Sequence, residues 1–261
     1  MADDAAVVRF TELVPAGSPI GSVDDSRMTD FYTYPDGLQA CWVRGNMITS
    51  LDGGATDDGK SGGLAGAGDR SVFTVMRQQA DVILVGAGTV RAENYSGAQF
   101  SPAQRQARQR RDQAEVPPIA VVTNRGEFDH DAKLFTRTEV PPLILTSSTA
   151  APGASSRLGS LAEIVVASGA DPEAVDNAAV LKILAGRKLF RVLAEGGPSL
   201  LGSLIQADLL DELCLTIAPL LVGGSASRVA TGHAAVHSRM RRIHLLSDNA
   251  GYLYARYIRG H

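Results

Sequence analysis

The sequence predicts an α/β protein whose central sheet is mostly parallel and is flanked by helices on both faces. Short runs of continuously apolar residues, among them Val82–Val85 and Ile119–Val122, are typical of strands covered on both sides. Segments with apolar residues at helical spacing alternate with these runs, which favours parallel strands joined by crossover helices. Several of the runs are followed by glycine, serine or threonine, at the strand end where ligands dock in open α/β sheets.

Length and composition indicate a globular protein and exclude several classes of function. The 261 residues are 44% hydrophobic and 20% charged, with a formal net charge of −3. We expect a single domain over residues 1–261, with a core over 40–260 and residues 1–39 as an extension packed on it. The net charge gives no electrostatic reason for binding nucleic acid or a membrane surface. No apolar run approaches the roughly 20 residues of a membrane-spanning helix. The acidic N-terminus lacks the apolar stretch of a signal peptide, so we expect a cytoplasmic location.

The two cysteines and the scattered histidines indicate neither a metal site nor a disulfide framework. Cys41 and Cys214 lie in apolar runs, where a buried thiol is the usual outcome. His233, His237 and His244 follow no ligand spacing, and we expect surface or core positions for them. The predicted site therefore contains no metal.

The first unit of the fold joins a strand, a polar turn, an amphipathic helix and a second strand. A strand over Ala40–Ile48 leads into the turn, and the segment from Val72 to Ala80 then shows helical spacing. Asp69 lies at the N-terminus of this helix, where it is either a helix cap or a functional carboxylate. The second strand, Val82–Val85, runs into Gly86-Ala87-Gly88-Thr89, a glycine turn at a helix N-terminus that suits a phosphate group.

Two further strand ends carry groups that suit a dinucleotide. Glu195-Gly196-Gly197-Pro198-Ser199-Leu200 has two glycines that allow an anion close to the backbone, and Pro198 suits the first position of a helix. A plain strand-to-helix turn is the alternative, but it does not explain a carboxylate beside two glycines. Thr123-Asn124-Arg125 ends another strand, and Arg125 is either a partner for a 2′-phosphate or a solvent-facing side chain.

The remaining segments leave alternatives open. The stretch from Gln99 to Glu115 contains four arginines, Arg105, Arg108, Arg110 and Arg111. They form either a basic patch for a phosphate or a solvated helix or loop insertion, and we expect the second.

We expect a short strand over Phe10–Val14, with the rest of the extension as a loop. In the C-terminal part, strands are expected over Glu212–Pro219 with a continuation through Leu220–Gly224, over Ile243–Leu246 and over Tyr252–Ile258. This array either packs in the core or pairs with a second subunit.

Four motifs in the expected order give the chain a resemblance to the RibD C-terminal (reductase) domain family of riboflavin biosynthesis. The motif residues are Asn46, Ser50, Leu51, Asp52 and Gly53; Gly66, Asp69, Arg77, Asp81, Leu84, Val85, Gly86, Gly88, Thr89 and Val90; Ala194 to Leu200; and Leu210 to Leu213, Ile217 to Pro219, Gly223 and Gly224. The resemblance covers roughly residues 40 to 260. It implies a three-layer fold like that of dihydrofolate reductase, NADPH as cofactor, reduction of the ribose of an aminopyrimidine ribosyl phosphate, and a homodimer.

The same resemblance implies roles for individual residues. Asp69 would anchor the substrate and supply a proton, and Glu195 would hydrogen-bond the substrate or the cofactor. Asn46 and Asp52 would complete the catalytic set, with a structural role in the turn as the alternative for Asp52. The implied cofactor-binding residues are Ser50, Gly86, Ala87, Gly88, Thr89, Val90, Asn94, Thr123, Asn124, Arg125, Glu195, Gly196, Gly197, Pro198, Ser199 and Leu200. Arg70, Arg77 and Arg91 are candidates for binding the substrate phosphate.

Two departures and two alternatives qualify this interpretation. Bifunctional bacterial members usually carry lysine where Asn46 stands, and the zinc deaminase signature that precedes their reductase is absent from this chain. A dihydrofolate or pterin reductase could use the same acid and the same cleft. A noncatalytic NADP-binding module would bind the nucleotide without hydride transfer.

Overall fold

The computed structural model of the protein describes residues 10–12, 22–23, 25–232 and 234–260. Within this part there are eleven strands: β1 Phe10–Glu12, β2 Ser22–Val23, β3 Trp42–Thr49, β4 Val82–Gly86, β5 Ile119–Thr123, β6 Leu143–Thr146, β7 Glu163–Val166, β8 Arg191–Ala194, β9 Glu212–Ile217, β10 Met240–Asp248 and β11 Leu253–Arg259. The α-helices are α1 Asp25–Phe31, α2 Ala67–Gln79, α3 Ala87–Ala92, α4 Pro102–Gln109, α5 Lys133–Thr136, α6 Ala151–Leu158, α7 Asn177–Gly186 and α8 Pro198–Gln206. No described helix is long and apolar enough to cross a membrane.

All eleven strands belong to one mixed sheet. Its order is β2-β1-β10-β11-β9-β3-β8-β4-β5-β6-β7. The seven strands from β9 to β7 are parallel to one another. The four strands from β11 to β2 continue the sheet in antiparallel pairs. The predicted α/β class with a mostly parallel sheet is therefore confirmed.

Strand β4 shows why its sequence is apolar without alternation. Val82 and Leu84 pack on the face that α7 and α8 cover, whereas Ile83 and Val85 pack on the opposite face with residues of α3, α5 and α6. Successive side chains of a strand point to opposite faces, so burial of both faces requires an apolar residue at every position. The molecule consequently has three layers, helices, sheet and helices.

The N-terminal extension is held to the sheet by two arginines, the fully buried Arg44 and the half-buried Arg256. Phe10–Glu12 forms β1 as part of the expected strand, but residues 25–31 form α1 where a loop was expected. Arg44 donates hydrogen bonds to the carbonyl groups of Tyr32 and Thr33, and Arg256 donates to Phe31 and Thr33. Both guanidinium groups pair with the carboxylate of Glu212, which is 0% exposed. The expected single domain over residues 1–261 stays a prediction.

The arginine-rich segment over residues 99–115 is neither wholly a basic patch nor wholly a solvated insertion. Arg105 pairs with Glu139 and Glu115. Arg108 is fully buried and donates hydrogen bonds to the carbonyl groups of Arg77, Gln78 and Ala80 at the C-terminal end of α2. The expectation of a solvated segment was therefore wrong for Arg108, whose guanidinium satisfies carbonyl groups that a helix end leaves without partners.

The predicted continuation of the last parallel strand through Leu220–Gly224 was wrong. Strand β9 ends at Ile217, and Pro219, which has no N–H group to donate, follows closely. Gly223 and Gly224 have φ values of 61° and 62°, in the left-handed region that glycine adopts readily. The segment is therefore a loop.

Candidate active site

A cleft of about 2020 Å³ lies at the carboxyl ends of β3, β4, β5 and β8. Parallel strands end at the same edge of a sheet, so the turns that follow them are brought together there. The cleft is lined by most of the predicted site residues: Asn46, Asp69, Gly86, Ala87, Gly88, Thr89, Val90, Asn94, Thr123, Asn124, Arg125, Glu195, Gly196, Gly197, Pro198, Ser199 and Leu200. Segments far apart in sequence thus form one surface.

The two glycine turns pack against each other at the centre of this cleft. The N–H group of Gly86 donates to the carbonyl of Gly196 over 2.8 Å. Gly196 has a φ of 103°, and the peptide bond between Gly196 and Gly197 is cis. A Cβ atom on Gly197 would lie 2.5 Å from the hydroxyl oxygen of Thr89. The turns therefore leave a backbone cradle that a side chain would fill, with the N-terminus of α8 opening onto it.

The end of β5 provides polar and cationic groups. The hydroxyl of Thr123 accepts from the N–H groups of Arg125 and Gly126, and the side-chain oxygen of Asn124 accepts from the N–H group of Val175. These two side chains therefore shape the turn. Arg125 is exposed on the cleft and makes no ion pair with any residue in the described part of the chain. Lys133 and Arg157, which sequence reasoning did not single out, line the same cleft.

Asp69 lies in the first turn of α2, but it does not cap the helix. Gly66 is the N-cap residue, and it makes no side-chain cap hydrogen bond. The side chain of Thr216 on β9 faces the carboxyl group of Asp69. Burial raises the pKa of Asp69 above its ordinary value, against the opposing effects of hydrogen bonding from Thr216 and of the Arg70 charge. A half-buried acid with a raised pKa in a cleft is a candidate for proton transfer.

The carboxylate of Glu195 is already occupied by other side chains. Arg77 donates to it through Nε over 2.7 Å and through Nη2 over 2.6 Å, and the Tyr95 hydroxyl donates to Oε2. Its side chain is 1% exposed. We expected Glu195 to hydrogen-bond the substrate or the cofactor, and these protein contacts take most of its acceptor capacity. The pairing also removes Arg77 from the candidates for a substrate phosphate.

Ser50 and Asp52 do not line the cleft; Ser50 was expected to bind the cofactor, and Asp52 to be either catalytic or part of a structural turn. The Ser50 hydroxyl donates to Asp52, whose carboxylate also accepts from the N–H groups of Val222 and Gly223. These hydrogen bonds lower the pKa of Asp52 to about 2. Asp52 is exposed and joins the turn after β3 to the loop after β9. The two residues stabilise a connection between loops.

The histidines and cysteines considered as candidates lie in the core or at the surface. In the described part of the chain, no group of three or more histidine, cysteine or acidic side chains could hold a metal ion. His244 is buried, with edge-on contacts to Phe31 and Tyr32, and its pKa is lowered to about 4 by burial. His237 is exposed, and His233 lies outside the described residues. Cys214 is buried and Cys41 is half-buried, and neither forms a disulfide.

The sheet and its cleft define an α/β protein with a large cleft at the carboxyl edge of a parallel sheet. Comparison with known proteins identifies the family. The model of the RibD C-terminal domain matches residues 41–254, and the chain belongs to this family. The expected resemblance is confirmed.

Relatives and solved structures agree with this family. The chain is 29% identical over 183 residues to the 2,5-diamino-6-ribosylamino-4(3H)-pyrimidinone 5′-phosphate reductase of Archaeoglobus fulgidus, over 70% of this chain and 82% of that protein. It is 30% identical over 184 residues to the reductase of the same name from Methanothermobacter thermautotrophicus, over 70% of this chain and 80% of that protein. A crystal structure of a pyrimidine reductase-like protein from Corynebacterium diphtheriae superposes with a TM-score of 0.80 at 26% identity, over 92% of this chain and all of that one.

Proposed function

We propose that the protein is an NADPH-dependent pyrimidine reductase of riboflavin biosynthesis. Its substrate would be an aminopyrimidine ribosyl phosphate of the 5-amino-6-(5-phosphoribosylamino)uracil type, a class that includes the pyrimidinone phosphate in the names of the archaeal relatives. The observation that carries the proposal is a half-buried carboxyl group with a raised pKa, Asp69, in the same cleft as a backbone cradle suited to a dinucleotide.

The cradle fits a nicotinamide dinucleotide on structural grounds. Gly196 and Gly197 keep side chains out of the space beside Thr89, and the α8 N-terminus presents unpaired N–H groups to that space. The pyrophosphate would bind at this point. When bound there, NADPH would supply a hydride to C1′ of the ring-opened imine form of the substrate; the C1′=N double bond would become a single bond as the nitrogen takes one proton, and NADP⁺ would remain.

The choice of NADPH over NADH is part of the proposal. Arg125 is exposed at the end of β5, and a guanidinium group binds a phosphate through two parallel hydrogen bonds. Lys133 and Arg157 add positive charge to the wall of the same cleft. We therefore assign the 2′-phosphate to this end of the cleft, with Arg125 as its main partner.

Asp69 would supply the proton that the reaction needs. Because burial raises its pKa, the carboxyl group keeps its proton to higher pH than an exposed aspartate does. Asn46 on β3 also lines the cleft and would orient the pyrimidine by hydrogen bonds. Holding substrate and cofactor in one geometry is the remaining contribution of the protein.

Arg70 is the best placed partner for the substrate phosphate. It follows Asp69, lines the cleft and is exposed. Of its guanidinium nitrogens, Nη1 donates to the carbonyl of Ala65 over 3.0 Å, which leaves Nε and Nη2 for a ligand. Arg77 is paired with Glu195, and Arg91 donates to the carbonyl of Glu127 over 3.5 Å. We also propose a cytoplasmic location and a homodimer. Light scattering of the purified protein tests the homodimer.

Loss of NADPH absorbance during turnover tests the proposed reaction. The aminopyrimidine ribosyl phosphate and dihydrofolate are offered separately to the purified protein and to Asp69→Asn. We expect turnover of the ribosyl phosphate and a loss of kcat of about 100-fold or more in the variant, which is the range for removal of a general acid. Turnover of dihydrofolate alone would assign the protein to pterin reduction. Binding of NADPH without turnover of either would indicate a noncatalytic module.

A further inference from the structure

The carboxylate of Glu195 connects three segments that meet at the cofactor cradle. Glu195 itself directly precedes the Gly196–Gly197 turn, Arg77 comes from the last turn of α2, and Tyr95 comes from the loop after α3. The two partners are 118 and 100 residues away from Glu195 in sequence. The side chain of Glu195 is therefore a junction between a helix, a loop and the turn.

The backbone of the turn is fixed on its other side by β4. The N–H group of Glu195 donates to the carbonyl of Leu84 over 2.9 Å, and Gly86 donates to the carbonyl of Gly196 over 2.8 Å. Glycine residues have more conformational freedom than any others, so two in succession need outside contacts to hold one shape. Strand β4 supplies these contacts through the backbone, and the Glu195 side chain supplies them from the α2 side.

Arg77 and Tyr95 are themselves held in place. The guanidinium carbon of Arg77 lies 4.3 Å from the ring centre of Phe73 and 5.5 Å from that of Tyr95. Asn94 has a φ of 52°, a left-handed conformation that asparagine tolerates, and the N–H group of Tyr95 donates back to the carbonyl of Val90 over 3.0 Å. This turn directs Tyr95 into the wall of the cleft.

We infer that Arg77 and Tyr95 are positioning residues that act through Glu195 to hold the Gly196–Gly197 turn in its cofactor-binding shape. This inference rests on the proposed cofactor site. Glu195, paired with an arginine that stays charged and hydrogen-bonded to Tyr95, serves as a fixed acceptor. Proton transfer remains with Asp69, on the same helix as Arg77. The cluster therefore affects affinity for the cofactor and leaves the chemical step unchanged.

The dissociation constant of NADPH, measured by its own fluorescence, tests the inference without any need for turnover. The variants are Tyr95→Phe, Arg77→Gln and the double variant, with Arg77→Lys as the conservative replacement. Arg191→Gln is the matched control, because Arg191 at the start of β8 pairs with Asp81, which directly precedes β4, and does not line the cleft. Tyr95→Phe removes a single hydroxyl group, so it keeps the test valid if Arg77→Gln does not fold.

We expect Tyr95→Phe to weaken NADPH binding about tenfold, the effect of one lost hydrogen bond to a charged group. Arg77→Gln should weaken it more, Arg77→Lys less than Arg77→Gln, and the double variant less than the product of the single effects because the two residues share one partner. The KM for the pyrimidine and the pH profile of kcat should stay as in the wild type. The control should bind NADPH normally.

Several results would overturn the inference. NADPH binding by Tyr95→Phe at wild-type affinity would do so, as would a loss confined to kcat with a displaced pH profile, which would make Tyr95 a proton donor. An equal loss in Arg191→Gln would show a general loss of stability. A wild type that binds NADPH but reduces no pyrimidine would contradict only the proposed reaction, and the cluster would still be judged by the dissociation constants. A wild type that does not bind NADPH would contradict both.

Discussion

The carboxyl group of Asp69 in the first turn of α2 faces the side chain of Thr216 on β9, which lowers the pKa of this acid. The two residues bring together the helix that carries the proposed acid and a strand of the central sheet. Close packing beside the acid fixes this arrangement, because a Cβ atom on Gly68 would lie 2.2 Å from the Tyr254 hydroxyl. The position of the acid is thus set by the fold before any ligand binds.

Replacement of Thr216 by valine should change the pH dependence of the reaction. The hydrogen bond from Thr216 lowers the pKa of Asp69, so its loss should raise this pKa further. The protonated carboxyl group is the proposed active form, and activity is lost as pH rises through the pKa. The falling limb of the kcat profile should therefore move to higher pH. A limb that stays in place or moves to lower pH would show that Asp69 is not the acid.

Gly197→Ala should weaken binding of the cofactor. The added Cβ atom would lie 2.5 Å from the Thr89 hydroxyl oxygen and would occupy the cradle. An overpacked site of this kind costs about 1–3 kcal/mol, which corresponds to roughly tenfold or more in the dissociation constant of NADPH. Titration calorimetry measures this change.

Two further variants identify the cause of the expected loss in Gly197→Ala. In the double variant Gly197→Ala with Thr89→Ala, the clash is relieved and part of the affinity should return. Gly186→Ala is the matched control, because a Cβ atom there meets nothing within 4 Å and the residue lies at the end of α7. Normal affinity in Gly197→Ala would place the cofactor elsewhere.

Arg125→Gln should reduce the preference for NADPH over NADH. A hydrogen bond to a charged group contributes about 1.5–3 kcal/mol, so the KM for NADPH should rise roughly tenfold to a hundredfold. The KM for NADH should stay the same, because NADH has no 2′-phosphate. Steady-state kinetics with both cofactors gives the two values. An equal rise for NADH would indicate that Arg125 shapes the turn and binds no 2′-phosphate.

Arg44→Met should destabilise the fold strongly. Arg44 and Glu212 are both 0% exposed, and the variant would leave the Glu212 carboxylate buried with one of its two arginines lost. Breaking a buried ion pair costs about 3–5 kcal/mol, here measured as the free energy of unfolding in denaturant. Arg187→Gln breaks the exposed pair with Glu163 and should change this free energy by less than about 1 kcal/mol. Similar effects of the two variants would show that the buried network does not hold the N-terminal segment.

The features that could be predicted from the sequence are those with a local signal. The strand Val82–Val85 is apolar at every position because both faces of the sheet are covered, and this pattern is visible in four residues. The turn at Gly196 needs a positive φ, which restricts the residue to glycine. Local patterns of this kind at the strand ends predict most of the residues that line the cleft.

The features that could not be predicted depend on contacts between distant residues. Asp52 accepts from Gly223, 171 residues away, and nothing near Asp52 in sequence indicates that its carboxylate belongs to a loop connection. The pairing of Glu195 with Arg77 spans 118 residues. Helix α1 has only seven residues and a weak apolar pattern, and the structure anchors it through Arg256 from the far end of the chain. Tertiary contacts decide these positions, and local sequence does not contain them.

Transfer of deuterium from NADPH labelled at C4 of the nicotinamide tests the central claim most directly. Both stereoisomers of the labelled cofactor are incubated with the enzyme and the aminopyrimidine ribosyl phosphate, and the product is analysed by mass spectrometry and NMR. The account predicts that one of the two isomers transfers a single deuterium to C1′ of the product, and that this transfer is lost in Asp69→Asn. Absence of deuterium at C1′ with both isomers, or transfer to dihydrofolate alone, would contradict it.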